Sequence, residues 1–421
     1  MERLYWNCKR IRMFILVLTI LAIASMAQAQ QTTPVNFRVA FIADVGVTNN
    51  SKKVLQLIKD EKTDLLIILG DFDYYDDPTR WENMLNSILG ENFPIFAAIG
   101  NHDLKAWDGN KGYQWYLQQR CQRLGITWEG DLGVKSTIEY KGLFIVLVGA
   151  GTKGNGHDIY LRDQLAKTQA IWRIAGWHKN MKRMQVGGKS NATGWGVYEE
   201  ARKGGAIIAT GHEHSYSRTH LLSKMQGQVI ASTSDTLVIT RGATFAFVSG
   251  LGGKSIRDQE LSGDWWASIY TSDQGATYGA LFGEFNYNGV PNLAHFYFKN
   301  IKGDIIDEFW AISQVQGNVA GAEHPPQVVD GFVLEQNYPN PFNPGTRIRF
   351  YAPRPDRVTL RIVDMLGRPV RTLFRGLAPA GTMTLEWDGA NDAGVQMPSG
   401  TYFYQLVRGE QIQTRRLILA K

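Results

Sequence analysis

The chain has 421 residues, 44% apolar and 20% charged, the balance of a globular protein with room for two or three cores. Its formal charge of +6 is carried by its ends: residues 1–29 hold four basic side chains against one acid, and residues 327–421 hold 12 against eight. The stretch between them is within one charge of neutral, which excludes the basic face that nucleic-acid binding requires.

In chain order, residues 1–29 read as a secretory signal. Lys9, Arg10 and Arg12 precede a short apolar run from Phe14 to Ala24, and Ala27-Gln28-Ala29 fits a cleavage site. The run is short for a bilayer span, so a mature chain beginning near Gln30 with no stable membrane span is expected. Cys8 would leave with that segment, and Cys121 then has no intramolecular disulfide partner. Its apolar-periodic surroundings predict a buried thiol.

From Val35 to about Trp310, short apolar runs alternate with amphipathic ones. Val35–Ala43, Leu65–Leu69, Pro94–Ile99, Leu143–Gly149, Ile171–Ala175 and Ala206–Ala209 predict buried strands. Lys52–Lys62, Arg80–Leu89, Tyr113–Arg123, Ile159–Lys167 and Val197–Lys203 predict helices. This is the rhythm of an α/β fold. Beyond Gly211 the helical pattern stops, and residues 225–310 predict consecutive strands. Residues 316–327 predict a linker that ends at Pro325-Pro326. After it, Arg347–Tyr351, Val358–Val363, Thr382–Trp387, Thr401–Val407 and Gln413–Leu419 predict a small all-β sandwich over 328–421.

The chemistry-bearing residues stand at strand ends: Asp44-Val45-Gly46, Gly70-Asp71-Phe72-Asp73-Tyr74, Gly100-Asn101-His102-Asp103, Trp177-His178 and Gly211-His212-Glu213-His214. Open α/β sheets bind ligands at the carboxyl ends of their strands, so these residues are expected to share one crevice. Singly they are weak signals. Asp44 alone reads as a helix cap, Gly70-Asp71 as a turn, Tyr74 as packing and His178 as a structural histidine. Together they mix carboxylate and phenolate oxygens, which suit a hard ion, with imidazoles and an amide oxygen, which suit Zn, Fe(II) or Mn. Asp73, Asp76 and Asp77 predict a solvated acidic loop. His157, His220, His295 and His324 read as loop or surface residues. Trp265, Trp266 and Tyr270 read as core packing, with a cleft wall as the alternative.

In this order the motifs resemble the calcineurin-like metallophosphoesterases. Gly46 stands where most members carry histidine, and Tyr74 completes G-D-x-x-Y. This pairing, with His214-Ser215-Tyr216-Ser217-Arg218, resembles the purple acid phosphatase branch. Ala175 departs from the usual valine at a packing position. The resemblance covers about residues 35–310. It implies a four-layer α/β/β/α sandwich over 30–315. It also implies a dinuclear centre with Fe(III) on Asp44, Tyr74 and His214. The second ion, Zn, Fe(II) or Mn, would sit on Asn101, His178 and His212, with Asp71 bridging. Five metal charges against two carboxylates, a phenolate and a hydroxide leave about +1 for a phosphate ester. His102 is expected to act on the phosphoryl or leaving group, with Asp103 orienting it. The implied reaction is phosphomonoester hydrolysis. A phosphodiesterase or nucleotidase with the same centre, or an inactive surface-attached binding protein, are the alternatives.

The segment Asn337-Tyr338-Pro339-Asn340-Pro341-Phe342-Asn343-Pro344, with Gly400-Thr401-Tyr402 and the ending Arg415-Arg416-Leu417-Ile418-Leu419, resembles the type A sorting domain of the type IX secretion system. That resemblance implies passage through the periplasm and the outer-membrane secretion machinery to the medium or surface of a bacterium. An immunoglobulin-like accessory module is the plainer reading.

Overall fold

Strand β1 (Phe37–Ile42) pairs in parallel with β2 (Leu65–Leu69), and β2 in parallel with β3 (Ile95–Ala98). Every residue of β2 and β3 is buried, so their unbroken apolar runs reflect cover on both faces. Antiparallel Gly279–Phe285, Leu293–Asn300 and Ile305–Ser313 extend this sheet beyond β1, and Thr236–Ile239 closes its edge. In this computed structural model, residues 32–315, 332–352, 356–379, 381–409 and 411–420 are described. The expected signal segment 1–29, the expected linker 316–327 and His324 lie outside the described residues.

The second sheet has eight strands. Its centre is Leu143–Val148, Trp172–Gly176 and Ile207–Thr210 in parallel, flanked by Ala246–Ser249 and Tyr216–Thr219. Side-chain alternation divides its neighbours into two cores. Ile145, Leu147, Ile174, Ile207 and Ala209 face the first sheet, while Val146, Val148, Ala175 and Ile208 lie under helices His157–Lys167 and Trp195–Lys203. Phe41 meets Phe247 edge-on at 5.2 Å, and Tyr216 stacks on Phe298 at 4.2 Å between the sheets. Helices Asn49–Asp60, Pro78–Ile88 and Tyr113–Arg123 cover the first sheet. The result is the expected four-layer α/β/β/α sandwich.

The first two helices begin earlier than their apolar periodicity predicts because polar caps set their starts. The Thr48 hydroxyl accepts from the Asn50 and Ser51 amides, and the Asp77 carboxylate from Arg80 with Pro78 behind it. Asp73 corrects the expected solvated loop. It is fully buried, accepting from the Tyr75 amide at 2.9 Å, the Asp77 amide at 2.9 Å and the Tyr113 hydroxyl. Asp76 keeps to the surface in an ion pair with Lys105. His157 is buried and His295 lies between Glu284 and Glu308, so neither is a loop residue. Trp266 and Tyr270 are buried in the core, and Cys121 is buried as expected.

Beyond residue 331, sheets of three and four strands enclose a separate core around Ile348, Leu360, Trp387, Tyr404 and Leu417. The asparagine–proline segment is part of that core. Phe342 packs 5.5 Å from Trp387, the Asn337 amide donates to the Tyr404 hydroxyl at 2.9 Å, and the Phe342 amide donates to the Ile418 carbonyl at 3.0 Å. Among the described residues, no helix is long and apolar enough to cross a membrane.

Candidate metal centre

The loops after β1 and β2 turn through left-handed backbone at Asp44 (φ 55°), Asp71 (φ 58°) and Tyr74 (φ 66°), as does the later loop at His212 (φ 70°). Such conformations cost about 1–3 kcal/mol each in non-glycine residues and persist only where the surroundings enforce them. Here the Asp44 amide donates to the Gly70 carbonyl at 3.1 Å and the Val45 amide to the Asp71 carbonyl at 2.9 Å. A Cβ on Gly100 would stand 2.1 Å from the Asp71 nitrogen, so only glycine lets these loops close.

Two groups of side chains result. In the first, Asp44 Oδ1 lies 3.2 Å from the Tyr74 hydroxyl and 3.3 Å from His214 Nε2, and those two atoms are 3.2 Å apart. In the second, Asp71 Oδ2 is 3.2 Å from His178 Nε2, which is 3.2 Å from His212 Nδ1. One ligand atom from each of Asp71, His178 and His212 fits within 4.8 Å. Outer partners fix the rings: His178 Nδ1 stands 2.7 Å from the Leu69 carbonyl, and His214 Nδ1 meets the Ser255 hydroxyl. A carbonyl at Nδ1 leaves Nε2 of His178 free to ligate.

Gly46 adjoins the first group. A Cβ there would lie 3.8 Å from the Tyr74 ring and 3.6 Å from Lys254 Cδ. Both are ordinary contact distances, so the left-handed backbone at Gly46 (φ 66°) rather than crowding is what favours glycine there.

The electrostatics describe a site built for cations. Burial works to raise both Asp44 and Asp71, but neighbouring His214 and His178 respectively hold them below the usual carboxylate range. Burial lowers His178, and Asp71 more than offsets this, bringing it to about 9. Burial, then the charges of His178 and Lys189, push His212 down to about 3. Burial and both carboxylates hold the Tyr74 phenol protonated far above its usual range. Asp44 Oδ2 and Asn101 Oδ1 are buried with no hydrogen-bond partner. Orphaned buried oxygens of this kind cost about 1–3 kcal/mol unless something accepts them. Their presence beside carboxylates, imidazoles and a phenol fits a pair of metal ions.

Asp44, Asp71, Tyr74, His178, His212 and His214 therefore converge, and Asn101 presents an unpartnered oxygen from the loop whose next amide, at His102, donates to Asp71 Oδ1 at 2.9 Å. The His102 side chain is exposed, its ring 4.5 Å from that of Tyr74. Asp103 departs from the expectation that it orients His102. Its carboxylate accepts from the backbone amides of Asp71 (2.9 Å), Phe72 (2.8 Å) and Gly100 (2.7 Å). It pins the second and third loops together. Burial, then the Asp71 charge, push it up to about 7. Sequence reasoning missed Lys189, whose ammonium donates to the His212 carbonyl and lies 3.1 Å from its Nδ1. It also missed Lys254, whose ammonium lies 4.5 Å from the Tyr74 ring centre. Both come from loops without a motif.

Residues 37–216 match the calcineurin-like phosphoesterase family, and residues 340–410 match the FlgD Ig-like domain family. No curated protein matches the chain. Its fold is similar to that of a purple acid phosphatase from yellow lupin (Lupinus luteus) seeds, with 16% identity and a TM-score of 0.50 over 68% of this chain. The chain spans 57% of that enzyme's length. PhoD is matched at 11% identity and a TM-score of 0.41, over 69% of this chain and 74% of that one. FlgD of P. aeruginosa is matched at 25% identity and a TM-score of 0.15, over 18% of this chain and 57% of that one. The first match thus falls within the α/β sandwich and the second within the all-β region.

Proposed function

We propose that the protein is a metal-dependent phosphoric ester hydrolase acting on phosphomonoesters, with a purple acid phosphatase-like centre. The observation that carries this reading is the interleaving of the two ligand groups, with Asp71 beside the second and two buried oxygens left open. Asp44, Tyr74 and His214 would hold Fe(III), Asn101, His178 and His212 would hold Zn, Fe(II) or Mn, and Asp71 would serve both. Two such ions supply a water of lowered pKa and charge opposite the phosphoryl oxygens.

The chain's own residues do the rest. Leu69 and Ser255 hold the two histidine rings in ligating orientation. Asp103, through backbone amides, fixes where Asp71 and Asn101 stand. His102, exposed beside Tyr74, would give a proton to the leaving alkoxide. The Tyr74 phenol, which burial keeps protonated, gives up its proton only beside a cation. Iron-loaded protein is therefore expected to show a visible tyrosinate band that Tyr74→Phe removes while total metal falls by less than half. A band of equal strength in the variant contradicts the Tyr74 assignment.

The segment from Asn337 to Pro344 and the ending from Arg415 to Leu419 support export of this protein through the type IX secretion machinery. The folding role of Phe342 and Asn337 means the signal would be read from an assembled domain rather than a loose tail. Ending the chain after residue 331, in a bacterium with that machinery, is expected to leave the enzyme in the periplasm. Undiminished appearance in the medium or on the cell surface contradicts the sorting role.

A further inference from the structure

Three cations from two loops stand beside the ligand groups, and the buried carboxylate of Glu213 feels the charge of two of them, Lys189 and Arg257. Lys189 donates to a carbonyl and approaches an imidazole nitrogen, both of His212. The Lys254 ammonium lies over aromatic rings, 4.5 Å from the centre of Tyr74 and 5.7 Å from that of Tyr75. Arg257 Nε comes no nearer than 3.9 Å to Glu213, and the arginine side chain is 47% exposed.

Their placement is built. The Glu260 and Leu261 amides both donate to the Val186 carbonyl at 2.8 Å, fastening the loop of Lys254 and Arg257 to the loop of Lys189. The Lys254 amide donates to the Asp44 carbonyl and the Arg257 amide to the His214 carbonyl, each at 3.0 Å. Two of the three cations therefore spring from backbone tied directly to ligand residues. In a domain near electrical neutrality, three cations on one rim concentrate the local field. One phosphoryl group is accounted for by the metal ligands. Lys189 at His212 and Lys254 over Tyr74 border that position, where positive charge attracts a further anion.

Resting on the hydrolase reading above, we propose that Lys189, Lys254 and Arg257 form a second anion subsite for a further phosphoryl group on the substrate's leaving arm. The preferred substrates are then bisphosphorylated compounds rather than simple monoesters. In the reaction, the oxygen of water bonds to the phosphorus held at the metal ligands. The bond from that phosphorus to the leaving oxygen breaks, its electron pair stays on that oxygen, and a proton from the water ends there. The products are inorganic phosphate and the remaining monophosphate, whose phosphoryl group leaves the rim last.

The test compares kcat/KM for glucose 1,6-bisphosphate and glucose 6-phosphate in the metal-loaded full chain and in a Lys189→Gln, Arg257→Gln double variant. Charge-assisted hydrogen bonds of this kind predict that the bisphosphate-to-monophosphate ratio falls about tenfold or more, chiefly through KM. An unchanged ratio overturns the subsite. Calorimetric binding of inorganic pyrophosphate and inorganic phosphate, read with circular dichroism of the variant, separates the two claims. A protein that hydrolyses neither ester yet loses its preference for pyrophosphate on substitution keeps the subsite and overturns the hydrolase reading. A folded variant that binds pyrophosphate as wild type does overturns the subsite whatever the activity.

Discussion

Asp71→Asn is expected to abolish phosphoester hydrolysis and to strip metal from the centre in the same step. The Asp71 carboxylate joins the third loop to the second ligand group. Its Oδ1 accepts from the His102 amide at 2.9 Å, its Oδ2 faces His178 Nε2 at 3.2 Å, and its own amide donates to Asp103. Asparagine keeps the shape and both backbone contacts, so the loop survives. What is lost is a formal charge in a site where Asp44, the other nearby carboxylate ligand, faces His214 rather than His178. Loss of a single preorganised donor in an active site costs about a hundred- to a thousandfold in kcat. Loss of a ligand that would serve two ions should exceed that, so a fall of about a thousandfold or more in kcat/KM is predicted. Elemental analysis and steady-state kinetics on the same preparation check it. A variant retaining both metal and activity contradicts the assignment.

The second large effect is on stability. Arg218 is almost wholly buried and makes a two-pronged ion pair with Asp307, at 2.7 and 2.9 Å, while the Tyr216 hydroxyl donates to the same carboxylate at 2.6 Å. Arg218 belongs to one sheet and Asp307 to the other, so the pair clamps the sandwich two residues beyond Tyr216 and four beyond His214. Asp307→Ala leaves a buried guanidinium with only Asp235 near, at 3.9 Å and largely exposed. Breaking one side of a buried pair costs about 3–5 kcal/mol, whereas replacing both by apolar side chains is near neutral. Denaturant unfolding should therefore show a large loss for Asp307→Ala and substantial recovery in Arg218→Met with Asp307→Leu. Equal losses in both would show that the pair itself, rather than its imbalance, holds the sheets together.

The site was more legible than its surroundings, for a physical reason. Ligands must be particular residue types at strand ends, so Asp44, Asp71, Tyr74, His178, His212 and His214 stand out by type and order. Buried strands such as Leu65–Leu69 stand out because cover on both faces demands continuous apolar side chains. Strand Pro369–Ala378 escaped notice because most of its residues are half-buried or exposed and its pairing with Asp356–Val363 is interrupted by register shifts. Asp73 and Asp103 were misread because an aspartate that ties backbone amides together has no sequence mark separating it from a solvated or catalytic one. Lys189 and Lys254 reach the centre only through the folding of their loops, and no local pattern announces that.

The most direct test of the central claim is metal titration with activity followed together. Chelated protein should be inactive toward p-nitrophenyl phosphate, bind about two ions per chain on calorimetric titration, and regain hydrolysis in proportion to occupancy. Hydrolysis that persists after complete chelation, or stoichiometric binding that restores none, would contradict a metal-dependent phosphoesterase.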